Sequence, residues 1–78
     1  MSVTADVVLD CSGLACPMPI IKTKKAMDGL EPGQVLQMIS TDPGSTSDME
    51  AWTNRTGNEL VSAEQDGDKY IFMVRKAG

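Results

Sequence analysis

The chain has 78 residues, 41% hydrophobic and 23% charged, a composition suited to one globular domain over residues 1–78 with a single small core. Eleven Asp and Glu against seven Lys and Arg leave a net charge of −4, which argues against direct nucleic-acid binding because phosphates need a basic footprint. Histidine is absent, which removes Ser-His and Cys-His dyads, an imidazole general base and Cys/His zinc sites, so neither a metal nor a cofactor is expected.

Taken in chain order, Val7-Val8-Leu9 is a β-branched run that reads as a short buried strand, ended by Asp10 and the Ser12-Gly13 turn signal. Cys16-Pro17 then marks a helix start, with Pro17 at the first helical position, where its missing N–H costs nothing. Ile20, Met27 and Leu30 follow at near-helical spacing as its apolar stripe, and Gly29 and Pro32-Gly33 close it. Val35 to Ile39 is the second strand. Asp42-Pro43 opens a second helix, with Ser45-x-x-Asp48 as an alternative capping-box start, Met49 and Trp52 as its buried residues and Gly57 as its C-terminal cap. Glu59 to Glu64 and Lys69 to Arg75 are two more strands, joined through Gln65-Asp66-Gly67-Asp68 as a hairpin. The order βαβαββ implies an α/β two-layer sandwich: a four-stranded mixed sheet with both helices on one face.

No stretch approaches the roughly 18 apolar residues of a membrane span, and Met1 to Asp10 lacks the basic and apolar regions of a signal peptide. The expected location is the cytoplasm, with no membrane partner. In such a reducing compartment Cys11 and Cys16 are expected as thiols rather than as a disulfide.

The chemistry is concentrated in Leu9 to Pro19. If Cys16 is the N-cap of the first helix, its sulfur faces unpaired N–H groups and the positive end of the helix dipole, both of which favour thiolate over thiol. Lys22, Lys24 and Lys25 add positive charge on the same helix and read either as a solvated face or as a docking patch. Met18, beside the thiol, is a candidate apolar docking contact. Cys11 reads as a small residue ending the first strand or as an auxiliary thiol.

The stretch Leu9-Asp10, Gly13-Leu14 and Cys16-Pro17-Met18-Pro19 resembles the Cys-Pro-x-Pro signature of the TusA/SirA-type sulfur-carrier family. Pro32-Gly33, Asp42-Pro43, Gly57, Glu59-Leu60-Val61 and the Tyr70 to Lys76 segment match that family's layout along nearly the whole chain. The resemblance implies a sulfurtransferase in a relay, working as a monomer: Cys16 accepts sulfane sulfur as a persulfide from a cysteine desulfurase or rhodanese-like protein and passes it to a downstream acceptor protein. It implies that Pro17 and Pro19 position the loop and helix, that the lysines dock partners, and that the sulfur ends in tRNA thiolation or oxidative sulfur metabolism. Two other readings remain: a thiol-disulfide switch using Cys11 and Cys16, and a non-catalytic regulatory binding module.

One further expectation concerns the sheet. In the last strand Tyr70, Phe72 and Val74 share one face and Ile71 and Met73 the other, while Val35 and Ile39 oppose Leu36 and Met38. One apolar set must therefore face away from the helices, either under the chain ends or as a patch for a partner.

Overall fold

Hydrophobic periodicity of two in the strands and near four in the helices sorts the side chains between sheet and helix layers in the computed structural model, which describes residues 5–15 and 18–77. The elements are β1 (Val7–Cys11), α1 (Met18–Asp28), β2 (Val35–Ser40), α2 (Ser45–Thr56), β3 (Glu59–Asp66) and β4 (Lys69–Arg75). They form one four-stranded sheet in the order β1-β2-β4-β3. The β1/β2 pair is parallel, whereas β4 runs antiparallel to both β2 and β3. The expected βαβαββ sandwich is thus observed, with β4 inserted between the strands that α2 connects.

The core lies between the sheet and the two helices. Leu36 and Met38 from β2, Phe72 and Val74 from β4, Cys11 from β1, Met27 from α1 and Met49 and Trp52 from α2 form one buried cluster. The register sets Leu36 against Val74 and Met38 against Phe72, so the two central strands present one continuous apolar surface to the helices. Three of the methionines are buried there, filling space that the few aromatic residues leave.

Four expectations are corrected. Val7-Val8-Leu9 is not a buried strand: β1 is an edge strand, and Val7 and Val8 are 37% and 60% exposed. An edge strand has a neighbour on one side only, so β-branched residues there lack the cover that a central strand gives. In α1 the buried positions are Pro19, Thr23 and Met27, with Ile20 and Leu30 only partly covered; the Thr23 hydroxyl is accommodated by donating to the Pro19 carbonyl at 2.7 Å. The helix α2 starts at Ser45 rather than at Asp42-Pro43, and no side chain caps its Gly44 N-cap. The Ser45 hydroxyl, free for a capping box by sequence, instead pairs with Ser40 Oγ at 2.6 Å inside the fold. The hairpin loop is Gly67-Asp68 rather than the four residues Gln65 to Asp68, because β3 continues past Glu64 and Gln65 and Asp66 still pair with Tyr70 and Lys69. Gly67 takes φ +63° while no non-glycine residue among those described has positive φ, the pattern of a type II′ turn.

Other signals held. Gly57 caps α2 in the left-handed region, its N–H donating to the Thr53 carbonyl at 2.9 Å. Lys76 reaches back so that its ammonium donates to the Met27 carbonyl in the last turn of α1 at 2.6 Å, placing a cation at the negative end of that helix. No helix among the described residues is long and apolar enough to cross a membrane.

Candidate functional site

Because β1 and β2 are parallel, the segments leading into α1 and α2 leave the same end of the sheet. Between β1 and α1 lie residues 12–17, of which 12–15 are described; Cys16 and Pro17, with the expected N-cap and first helical position, lie outside the described residues. Three ties hold the described part. The Asp10 carboxylate accepts the Ser12 N–H at 2.9 Å, an Asx turn that bends the chain as it leaves the sheet. Leu14 packs against the core cluster, and its N–H donates to the Cys11 carbonyl at 3.1 Å around Gly13, whose φ of +81° suits glycine. The Gly13 N–H donates to Thr41 Oγ1 at 2.9 Å, fastening the first connection to the second. On the far side of Cys16-Pro17, the Met18 N–H donates to the Ala15 carbonyl at 2.9 Å.

The second connection, residues 41–44, is bound into itself. Ser40 Oγ accepts the Asp42 N–H at 3.1 Å, Asp42 Oδ1 accepts the Gly44 N–H at 3.1 Å, and the Asp42 carbonyl accepts the Ser45 N–H at 3.0 Å. The sequence marks both loops by proline and glycine, but the Gly13–Thr41 tie spans 28 positions and has no local signal.

The electrostatics separate two neighbouring residues. The hydroxyl and N–H of Ser12 hold the exposed Asp10 carboxyl below its ordinary value, so it is ionised throughout the neutral range. Cys11 is a free thiol, fully buried in the core cluster, and that burial pushes its thiol up, with the nearby Lys22 charge opposing. A buried thiol held protonated is a poor nucleophile.

Of the other residues singled out by sequence, Pro19 is buried in the first turn of α1 and anchors that end of the helix. Met18, Lys22, Lys24 and Lys25 are exposed, and Lys24 pairs with Asp28 at 3.2 Å. Ile21 was missed. It is 51% exposed, beside Met18 at 40%, and the helical spacing of Met18, Ile21, Lys22 and Lys25 sets two apolar and two cationic side chains on one solvent face. That spacing was available in the sequence once Ile20 rather than Ile21 is assigned to the core. Among the described residues no group of three or more Cys, Asp or Glu could hold a metal ion.

Comparison with known proteins places this arrangement. A crystal structure of a SirA-like protein from Desulfitobacterium hafniense superposes with a TM-score of 0.79 over 92% of this chain and 99% of that one at 23% identity, which shows the shared fold. The chain is 46% identical over 72 residues to sulfur carrier protein TusA of Allochromatium vinosum, covering 92% of this chain and 95% of that protein. It is 51% identical over 74 residues to the putative sulfur carrier protein YrkF of Bacillus subtilis, covering 95% of this chain but 40% of that longer protein. The family described as sulfurtransferase TusA matches residues 7–76, from the first residue of β1 to one residue past β4, and the chain belongs to that family.

Proposed function

We propose that this chain is a sulfur carrier in which Cys16 holds sulfane sulfur as a persulfide between a donor protein, a cysteine desulfurase or rhodanese-like enzyme, and a downstream acceptor protein. The observation that carries this reading is the family match over residues 7–76, which takes in Cys16-Pro17-Met18-Pro19. In loading, the Cys16 thiolate attacks the terminal sulfur of the donor persulfide; the donor S–S bond breaks, a new S–S bond forms on Cys16, and the donor leaves as thiolate with no net oxidation. Delivery is the same exchange with the acceptor thiol as nucleophile. Neither step needs a base on the carrier, which suits a chain without histidine.

Pro17 and Pro19 act as positioners, and the buried Pro19 supports that role by fixing the start of α1. Met18, Lys22, Lys24 and Lys25, together with Ile21, form the surface through which partners approach the thiol, supported by their exposure. The buried, protonated Cys11 supports a carrier with one working thiol over a disulfide switch. The destinations that fit are tRNA thiolation and oxidative sulfur metabolism, with the protein in the cytoplasm, acting as a monomer, and partner surfaces choosing between them.

The reading is tested by incubating the protein with a cysteine desulfurase and cysteine, measuring the intact mass, and then adding an acceptor thiol. Gain of about 32 Da, one sulfur atom, followed by its loss to the acceptor is the expected result. An unchanged mass with desulfurase and with polysulfide alike contradicts it and favours the binding module, and loss of two hydrogens favours the switch.

A further inference from the structure

The two-layer architecture leaves one sheet face without helices, and the strand register fixes what stands on it. Asp10, Ile39, Ile71 and Glu64 lie side by side across β1, β2, β4 and β3, and the next row reads Val8, Gln37, Met73 and Ser62. A one-sided sheet ordinarily turns polar residues to water. Here Val8, Ile39, Ile71 and Met73 stand together outside the core cluster. Val35 shares the face but is buried, and Asp6, just before β1, bonds both its carbonyl and its N–H at 2.8 Å. Val8 is exposed and Ile39, Ile71 and Met73 are half-buried, so among the described residues the apolar area open on this face lies toward the sheet end from which residues 12–15 depart.

We propose that this face is a docking surface for an amphipathic helix of a partner protein, whose apolar stripe is flanked on both sides by Lys or Arg. Neighbouring strands lie about 4.8 Å apart, so the β1 and β3 backbones bearing Asp10 and Glu64 stand about 14 Å apart. A helix with its side chains is about 10–12 Å across. An apolar stripe seated on Ile39 and Ile71 thus sets its flanking cations beside the two carboxylates. The face as a whole is acidic, with Asp10, Glu59, Glu64 and Asp66 against Lys69 and Arg75. Glu59 is matched by Arg75 at 2.9 Å, Asp66 stands opposite Lys69, and Asp10 accepts the Ser12 N–H with the Lys69 charge also lowering its carboxyl, while Glu64 has no ion-pair partner among the described residues.

The same charges argue against a second copy as the occupant. Face-to-face pairing brings like-charged rims together. Head-to-tail pairing through α1 offers, among the described residues, only Met18 and Ile21 as large exposed apolar contacts, and being heterologous it does not give a closed two-fold dimer. Asp10 lies two residues before Ser12 in the segment leading to Cys16, so a helix seated here lies beside that segment without covering α1.

The test is an NMR titration of the ¹⁵N-labelled protein with a synthetic amphipathic peptide of about four turns carrying leucine on one face and lysine on the other. A counterpart with glutamate in place of lysine is the control. Shifts clustered at Val8, Ile39, Ile71 and Met73 with the lysine peptide, absent with the glutamate peptide and weakened by salt, are expected. Affinity should fall about tenfold or more in Ile71→Ser/Met73→Ser and in Glu64→Lys, the latter an exposed change that leaves the fold intact. Shifts confined to α1, equal binding of the glutamate peptide, undiminished binding by both variants, no binding at all, or self-association that perturbs this face without peptide would each overturn the proposal.

Discussion

The two strand-to-helix connections leave the same end of the sheet and are put together differently. Residues 41–44 turn their polar groups inward, on Ser40, Asp42 and Ser45, and lead into a helix whose Met49 and Trp52 are in the core. Residues 12–15 are mostly exposed and held at three points, and they lead into a helix that buries Pro19, Thr23 and Met27 but shows Met18, Ile21 and three lysines to solvent. One connection finishes the core. The other spends less of its sequence on packing: Ser12, Gly13 and Ala15 are exposed, and the α1 face bearing Met18, Ile21, Lys22 and Lys25 is open to solvent.

The largest expected contrast is between the two helices. Trp52→Ala should cost roughly 3–5 kcal/mol of stability, whereas Ile21→Ser should stay within about 0.5 kcal/mol, both read by urea denaturation. A loss of several kcal/mol at Ile21 would mean that α1 packs more of itself than its exposure indicates. The next contrast is between the cysteines. Cys11→Ser puts a hydroxyl into an apolar cluster and should cost roughly 1–3 kcal/mol while leaving sulfur loading intact. Loading lost in a folded Cys11→Ser protein would give Cys11 a chemical part.

Charge reversal at Lys24 and Lys25 should slow loading from an enzyme donor by about tenfold at low ionic strength, the difference closing as salt is added. Loading from small polysulfide should change little. Equal slowing with both donors would place the lysines in activation of the thiol instead of in docking. The smallest effect concerns Asp10, whose folded-state carboxyl is held below its ordinary value by Ser12. Its contribution to stability is therefore present above roughly pH 4 and is lost as pH falls through the lower folded-state value. The Asp10 carboxyl resonance should titrate below that of an ordinary aspartate, and the stability difference between wild type and Asp10→Asn should vanish in acid. Titration at or above the ordinary value would remove the Asx turn as a constraint on the loop.

Much of this was legible from punctuation in the chain. Gly57 ends α2, Val35 opens β2 and the bounds of β4 fall at Lys69 and Arg75 because glycine and proline punctuate the chain locally and apolar, β-branched and aromatic residues cluster between them. What the sequence misled on depends on neighbours distant along the chain. Val7 and Val8 look buried until β1 is known to be an edge, and Ser45 looks like a cap until Ser40 is known to face it. A β-bulge at Val61, where the β3/β4 register shifts between Leu60 and Ser62, and the insertion of β4 between β2 and β3 likewise arise from pairing rather than from local propensity. At the site, the spacing of Met18, Ile21, Lys22 and Lys25 was readable along the chain, while the Gly13–Thr41 tie emerged only from packing.

The proposed division of labour between Cys16, as the sulfur-carrying thiol, and the buried Cys11 is tested most directly by peptide mapping. The wild-type protein is loaded with polysulfide, trapped with an alkylating reagent and digested, and the added sulfur is located by mass spectrometry. Sulfur found on the peptide containing Cys16, and absent from an otherwise folded Cys16→Ser protein, is the expected result. Sulfur on Cys11, or retained loading in Cys16→Ser, would contradict it.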